Sequence, residues 1–204
     1  MDNILPILYS FRRCPYAMRA RMGLVGAKIR HEHREITLSD KPAHMLEISP
    51  KGTVPILILP NGHIIDESLD IMLWALEQND QHRWLNGMRI DMFNLIERND
   101  TTFKALLDRY KYPNRYPDED CTNARDDAVR ILFDLDQRIK VNNALSGEKT
   151  TIADIAIFPF IRQFAHVDRD WFYAQKLPSL QNWLREHLKS TLFTTIMKKH
   201  EIWS

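Results

Sequence analysis

Ser10-Phe11-Arg12-Arg13-Cys14-Pro15-Tyr16-Ala17-Met18-Arg19-Ala20-Arg21 places a cysteine and a proline between an apolar run and a helical pattern. The apolar run before it, Ile4 to Tyr9, reads as a short strand. Met18, Met22, Leu24 and Val25 after it are spaced as one face of a helix. Cys14 therefore falls at a strand-to-helix turn. Pro15 takes the first helical position, where a missing N–H costs nothing. A thiol there faces unpaired amides and the positive end of the helix dipole, which favour the thiolate, the nucleophilic form. Arg12, Arg13 and Arg19 add positive potential. A buried, inert cysteine is the bland alternative.

The first helix is expected from Pro15 to about Val25, stopping at Gly26. His31 to Ile36 reads as a second strand at a sheet edge. His31 and His33 form a metal-like pair with no third ligand nearby, so a solvated edge strand is the stronger reading. A short helix follows Ser39-Asp40-Lys41-Pro42. Val54 to Leu59 and His63 to Asp66, joined through Pro60-Asn61-Gly62, read as a hairpin. Glu67-Ser68 then opens an apolar-periodic helix, with Ser68 placed to cap it. The order β-α-β-α-β-β-α implies an α/β layer on a mixed sheet over residues 1–78.

Residues 79–87 turn polar and read as a linker. Strand signals vanish beyond them, and 88–204 is expected to be an all-helical domain. Met88 to Tyr110 reads as one long helix, followed by a loop punctuated by Pro113 and Pro117, then a helix from about Thr122 to Val141. Thr151-Ile152-Ala153-Asp154 before an apolar run is a capping box, assigned to structure rather than chemistry. Two further helices close the chain, over Leu180 to Leu188 and Leu192 to Lys199.

Basic and acidic residues nearly cancel, 28 against 27, which argues against nucleic acid or an anionic membrane as partner. No apolar run approaches the roughly 18 residues that span a bilayer. The two cysteines, Cys14 and Cys121, make no disulfide framework or metal spacing, which suits a reducing compartment. Met1-Asp2-Asn3 has no basic stretch leading into an apolar core, so the expected location is cytoplasmic. No glycine-rich phosphate loop is present, and neither a metal nor a nucleotide has a motif to hold it.

Cys14-Pro15-Tyr16-Ala17, Val54-Pro55, Glu67-Ser68 and the Thr151-to-Asp154 box, in this order and at these separations, resemble the glutathione transferase superfamily. The resemblance covers nearly the whole chain and implies a thioredoxin-like first domain before the helical one. Cysteine at the first-helix start is similar to the omega-type and dehydroascorbate-reductase-type members and to the two-domain glutaredoxins. Tyr9 lies inside the first strand, where a core or sheet role fits better than a catalytic one.

The resemblance implies glutathione as co-substrate. Pro55 would be cis, and Val54 would pair its backbone with the cysteinyl part of the tripeptide. Glu67 would accept from the γ-glutamyl amine, Ser68 would hold the γ-glutamyl carboxylate, and Lys41 would pair with the glycyl carboxylate. The bland alternatives are a helix start at Glu67-Ser68 and a solvated Lys41. Ala17 stands where a second cysteine would make a Cys-x-x-Cys site, so Cys14 would work alone unless Cys121, in the helical half, served as its resolving partner.

The expected activity is thiol transfer or dehydroascorbate reduction. Conjugation of glutathione to an electrophile and a silent protein-binding module are the competing readings. A small disulfide or electrophilic substrate is expected in a cleft between the domains, walled by Phe11 and Tyr16 and by Phe103, Tyr110 and Tyr112 unless these aromatics are plain core. Arg109, Lys111 and Arg115 would make one rim basic. Many family members dimerise, and the sequence leaves homodimer and monomer both open.

Overall fold

The computed structural model describes residues 4–87 and 89–203. The Met1-Asp2-Asn3 start, the first residue of the long helix (Met88) and Ser204 lie outside them. The chain divides into two compact units, Met1–His82 with Ser190–Ser204, and Arg83–Lys189.

In the first unit, β1 (Ile7–Ser10), α1 (Pro15–Gly26), β2 (Glu32–Glu35), α2 (Ala43–Ile48), β3 (Ile56–Ile58), β4 (Ile64–Ile65) and α3 (Ser68–Gln78) follow in the expected order. The sheet order is β2-β1-β3-β4. β1 and β2 are parallel, with Ile7 opposite Glu32, while β1–β3 and β3–β4 are antiparallel. The sheet is therefore mixed: a helix joins the parallel pair and a tight turn joins β3 to β4. That turn closes with the Gly62 N–H donating to Leu59 O at 2.9 Å, at a φ of +84° that glycine adopts without strain.

Helix α1 is buried on nearly all sides, packed against α3 and α10 (Thr191–Ile196). Beneath it Tyr9, Ala17, Ile36, Met45, Val54 and Ile56 form one core cluster. Gly26 is the last helical residue rather than the stop, and the positive φ falls on Lys28 at +57°. Side chains from the expected linker finish this end: Asn79 donates to Ala27 O at 3.1 Å and Gln81 to Gly26 O at 2.8 Å. They supply donors to carbonyls that a helix end leaves open.

Residues 190–204, which the sequence reading gives to the helical domain, fold with the first unit. Ile202 bridges to Glu35 in parallel, and the Trp203 N–H donates to Glu35 O at 2.8 Å. The Trp203 ring lies under the Arg34 guanidinium at 4.3 Å. The tail thus covers β2, an edge that would otherwise present unpaired backbone groups.

The second unit carries α4 (Arg89–Arg98), α5 (Lys104–Lys111), α6 (Ala124–Asn142), α7 (Ile152–Ala165), α8 (Arg169–Ala174) and α9 (Pro178–Lys189). The expected single helix is interrupted by a π-helical turn at Asn99–Phe103, where the Lys104 N–H reaches back five residues to Asn99 O. α7 is almost wholly buried and packs on α4, α5 and α9. Its capping box is formed. Asp154, fully buried, accepts from Thr151 N at 2.9 Å, Leu145 N at 3.0 Å and Trp183 Nε1 at 2.9 Å. Among the described residues, no helix is long and apolar enough to cross a membrane.

Candidate active site

Cys14 is the N-cap of α1, with φ −72° and ψ 124° and Pro15 at the helix start. Its N–H donates to Phe11 O at 3.0 Å, and its carbonyl accepts the Met18 N–H at 2.9 Å as the helix begins. The half-buried sulfur therefore sits where the chain leaves the sheet for the helix. Sγ donates to Val54 O at 3.7 Å, and the Val54–Pro55 peptide is cis. Two sites forty residues apart in sequence thus meet, because β1 pairs with β3 and aligns their ends.

Ser68 is almost fully buried and accepts from Arg19 Nη1 at 3.4 Å. It is the first residue of α3, not its cap; Glu67 occupies the cap position with extended φ and ψ. Ser68 is inside the helix because its backbone already turns with it. Arg19, expected to add charge around the sulfur, is buried and directed to Ser68, with its guanidinium 5.7 Å from the Tyr16 ring centre. The exposed Glu67 carboxylate takes Lys51 Nζ at 2.9 Å, and Asp66 lies 3.5 Å from the same nitrogen. The hydrogen bond to Glu67 raises the Lys51 pKa. Lys41 lies beside the turn that leads into Val54: a Cβ on Gly52 would come 3.4 Å from Lys41 Nζ.

Two charged residues behind Cys14 were not singled out from the sequence. Arg21, 3% exposed, donates from Nη2 to Arg12 O at 2.7 Å and from Nη1 to Phe11 O at 3.3 Å and to the Ser10 hydroxyl. Burial pushes its pKa down to about 10, against the pull of Glu35 and then Cys14. Glu35 accepts the Arg12 N–H at 2.6 Å on one oxygen and His33 Nε2 at 3.0 Å on the other. Burial alone would raise the Glu35 pKa; His33, the Arg12 amide and Arg21 outweigh it and hold it below the usual range. The one signal in the sequence is spacing: Arg21 follows Cys14 by seven residues, two turns along one helix face.

His33 is thus tied to Glu35 and stacked on His200, with ring centres 4.0 Å apart. Among the described residues, no group of three or more His, Cys, Asp and Glu is arranged to hold a metal. The Tyr9 hydroxyl is fully buried, accepts from Arg34 Nη1 at 2.7 Å and bonds His44 Nδ1 at 2.7 Å, a sheet-anchoring role.

Of the expected substrate-wall residues, Phe11 and Tyr16 are half-buried in the first unit, Phe11 against the core cluster that also touches Cys14. In the second unit Phe103 is plain core, packed on Phe164 at 5.5 Å. Tyr110 packs on Phe164 at 5.1 Å and lines a cavity of about 670 Å³ with Arg109, Pro113, Tyr116 and Cys121. Tyr112 lies between Lys111 and Arg115, at 4.9 and 4.1 Å from its ring centre. The basic rim is weaker than its sequence implies, because Glu119 accepts from Arg109 at 2.6 Å.

A βαβαββα unit with a cysteine at the first helix start and a cis-proline step beside it defines a thioredoxin-like domain. Family models for the glutathione S-transferase N-terminal and C-terminal domains match residues 8–84 and 94–186. The pyrimidodiazepine synthase of Drosophila melanogaster is 39% identical over 195 residues, covering 90% of this chain and 76% of that protein. Glutathione S-transferase omega-1 of Mus musculus is 44% identical over 62 residues. That match spans 30% of this chain and only 26% of the omega-1 length. Glutathione transferase URE2P6 of Phanerochaete chrysosporium, solved in complex with oxidized glutathione, superposes with a TM-score of 0.81 at 17% identity, over 95% of each chain. The chain belongs to the glutathione S-transferase family.

Proposed function

We propose that the protein is a glutathione-dependent thiol transferase that uses Cys14 as its single nucleophile. The observation that carries this reading is the sulfur's place: half-buried at the start of α1, 3.7 Å from the Val54 carbonyl at a cis Val54–Pro55 step. Amides at the helix start and the guanidinium of Arg21 favour the charged form of such a sulfur. Membership of the glutathione S-transferase family supports glutathione as the partner thiol.

In the first step the Cys14 thiolate attacks the glutathionyl sulfur of a mixed disulfide. The new S–S bond joins Cys14 to glutathione, the old one breaks, and the substrate leaves as a thiolate that takes a proton from water. A second glutathione thiolate then attacks the glutathionyl sulfur held by Cys14, oxidised glutathione departs, and the Cys14 thiolate returns. Ala17 leaves Cys14 without a Cys-x-x-Cys partner that would interrupt the cycle. Dehydroascorbate reduction would employ the same thiolate on a carbon electrophile.

The tripeptide would lie along Val54 as an added strand, beside Pro55, with its γ-glutamyl end at Glu67 and Ser68 and its glycyl carboxylate at Lys41. Glu67, held by Lys51, would meet the amine; Ser68, backed by Arg19, would meet the carboxylate. Phe11 and Tyr16, in the same unit as Cys14, are the aromatic candidates for the second substrate. The sparse cysteine usage, with Cys14 and Cys121 far apart in sequence, fits a reducing, cytoplasmic setting. A coupled assay of glutathionyl transfer from a small mixed disulfide tests the reading. Cys14→Ala should lose turnover and Cys121→Ser should keep it. Turnover retained in Cys14→Ala overturns the proposal.

A further inference from the structure

Ser10, Phe11 and Arg12 lead the chain from β1 into the turn before Cys14, and one buried side chain binds all three. Arg21 donates to the Ser10 hydroxyl, to Phe11 O at 3.3 Å and to Arg12 O at 2.7 Å. From the opposite side Glu35 accepts the Arg12 N–H at 2.6 Å, with its other oxygen occupied by His33. The turn is thus held between a buried cation on α1 and a buried anion on β2, and neither belongs to the glutathione-binding set proposed above. A planar fork is needed for this: an ammonium on a flexible stem cannot address a hydroxyl and two successive carbonyls at once. Among the described residues the buried Arg21 Nε has no hydrogen-bond partner, a cost that an apolar side chain at this position would avoid.

We propose that Arg21 is a positioning residue for Cys14: its fork fixes the Ser10–Arg12 turn that sets the sulfur at the helix start, and its buried charge, shared with Glu35, favours the thiolate. The inference rests on Cys14 being the nucleophile. The charged or titratable groups facing Arg21 are Glu35 and His31 from β2 and the segment before it, Arg12 from the turn, Cys14 from its own helix, and His200 from the tail after α10. Arg21, at about 10, stays protonated at neutral pH. Glu35 opposes its field at the sulfur, but Glu35 is committed to the Arg12 amide and to His33. A buried charge is also poorly screened by salt, unlike that of the exposed Arg13.

The experiment is the pH profile of Cys14 alkylation by iodoacetamide, followed by intact mass in the Cys121→Ser background without glutathione. The sulfur loses its proton to solvent, displaces iodide and forms one S–C bond, so the midpoint reports the thiol. Arg21→Met should raise that midpoint by about one pH unit, cutting the reactive fraction near neutrality about tenfold. Arg21→Lys keeps the charge and should shift it by less than half as much; Arg13→Met should shift it less than Arg21→Met does. Should Arg21→Met fail to fold by circular dichroism, Arg21→Gln, neutral but able to donate, replaces it and carries the same expectation. A neutral variant that folds and superimposes on the parent overturns the proposal, as does an equal shift in Arg21→Lys. Because no glutathione is used, the expected shifts in a protein that fails to transfer glutathionyl groups would sink the proposed function and leave this inference standing.

Discussion

Replacing Gly23 by alanine tests the packing that sets the site. Gly23 lies on α1 where α3 crosses it, and a Cβ there would fall 2.8 Å from both Cα and Cγ of Met72. Carbon atoms rest at about 3.5–4.0 Å, so the new methyl is about an ångström too close. Met72 Cγ can swing aside, but its Cα is backbone and moves only with the helix. Overpacking of this kind costs about 3 kcal/mol at the upper end of the usual range. The better helix propensity of alanine returns about 1 kcal/mol. The net loss is about 2 kcal/mol, which for a chain of this size lowers Tm by about 4–8 °C. The forced separation also draws Arg19 on α1 from Ser68 on α3, now 3.4 Å apart. Thermal and urea unfolding by far-UV circular dichroism read the first effect, and glutathione KM the second. A Gly23→Ala protein with an unchanged or higher Tm would refute the close approach of these helices.

Asp154→Ala leaves the Thr151, Leu145 and Trp183 donors without their shared acceptor and should cost about 4 kcal/mol in urea unfolding, since each orphaned buried donor carries its own penalty. Burial, then Arg162, Arg169 and Lys111, push His166 down to about 4. A histidine with a folded value below its unfolded one gains its proton on unfolding between the two, so stability should fall as pH drops from about 6.5 to about 4 and then level off. Allowing for its partial exposure, the loss is about 1 kcal/mol, and His166→Gln should flatten that limb of the pH–stability curve. Trp203→Ala should destabilise by about 2 kcal/mol, because it strips the ring from Arg34 and Tyr9 and loosens the cover over β2; an unchanged urea midpoint would show the tail to be dispensable.

The local rules carried the first unit far. Proline after Cys14, the Asn61-Gly62 turn and the apolar periodicities give the observed element order, since each depends on neighbours in sequence. What they missed is non-local. The α10 segment reads as a helix from its own residues, but its choice of core rests on contacts with α1 that no spacing encodes. Arg21 looks like one more basic residue until the fold buries it against the turn before Cys14. Arg109 looks free until the 112–123 loop returns Glu119 to it. The π-helical turn at Asn99–Phe103 is hidden because Ile96 and Phe103, seven residues apart, keep one helix face across a polar stretch with no proline or glycine to mark a break, and α8 has only six residues with which to show a period.

Intact mass after brief exposure to oxidised glutathione identifies the reacting sulfur, because attack by one thiolate releases one glutathione and leaves one glutathionyl group on the protein. The wild type and Cys121→Ser should each carry a single adduct, and Cys14→Ala none. An adduct persisting in Cys14→Ala, or its absence from the folded wild type, would contradict the assignment of Cys14 as the reacting sulfur.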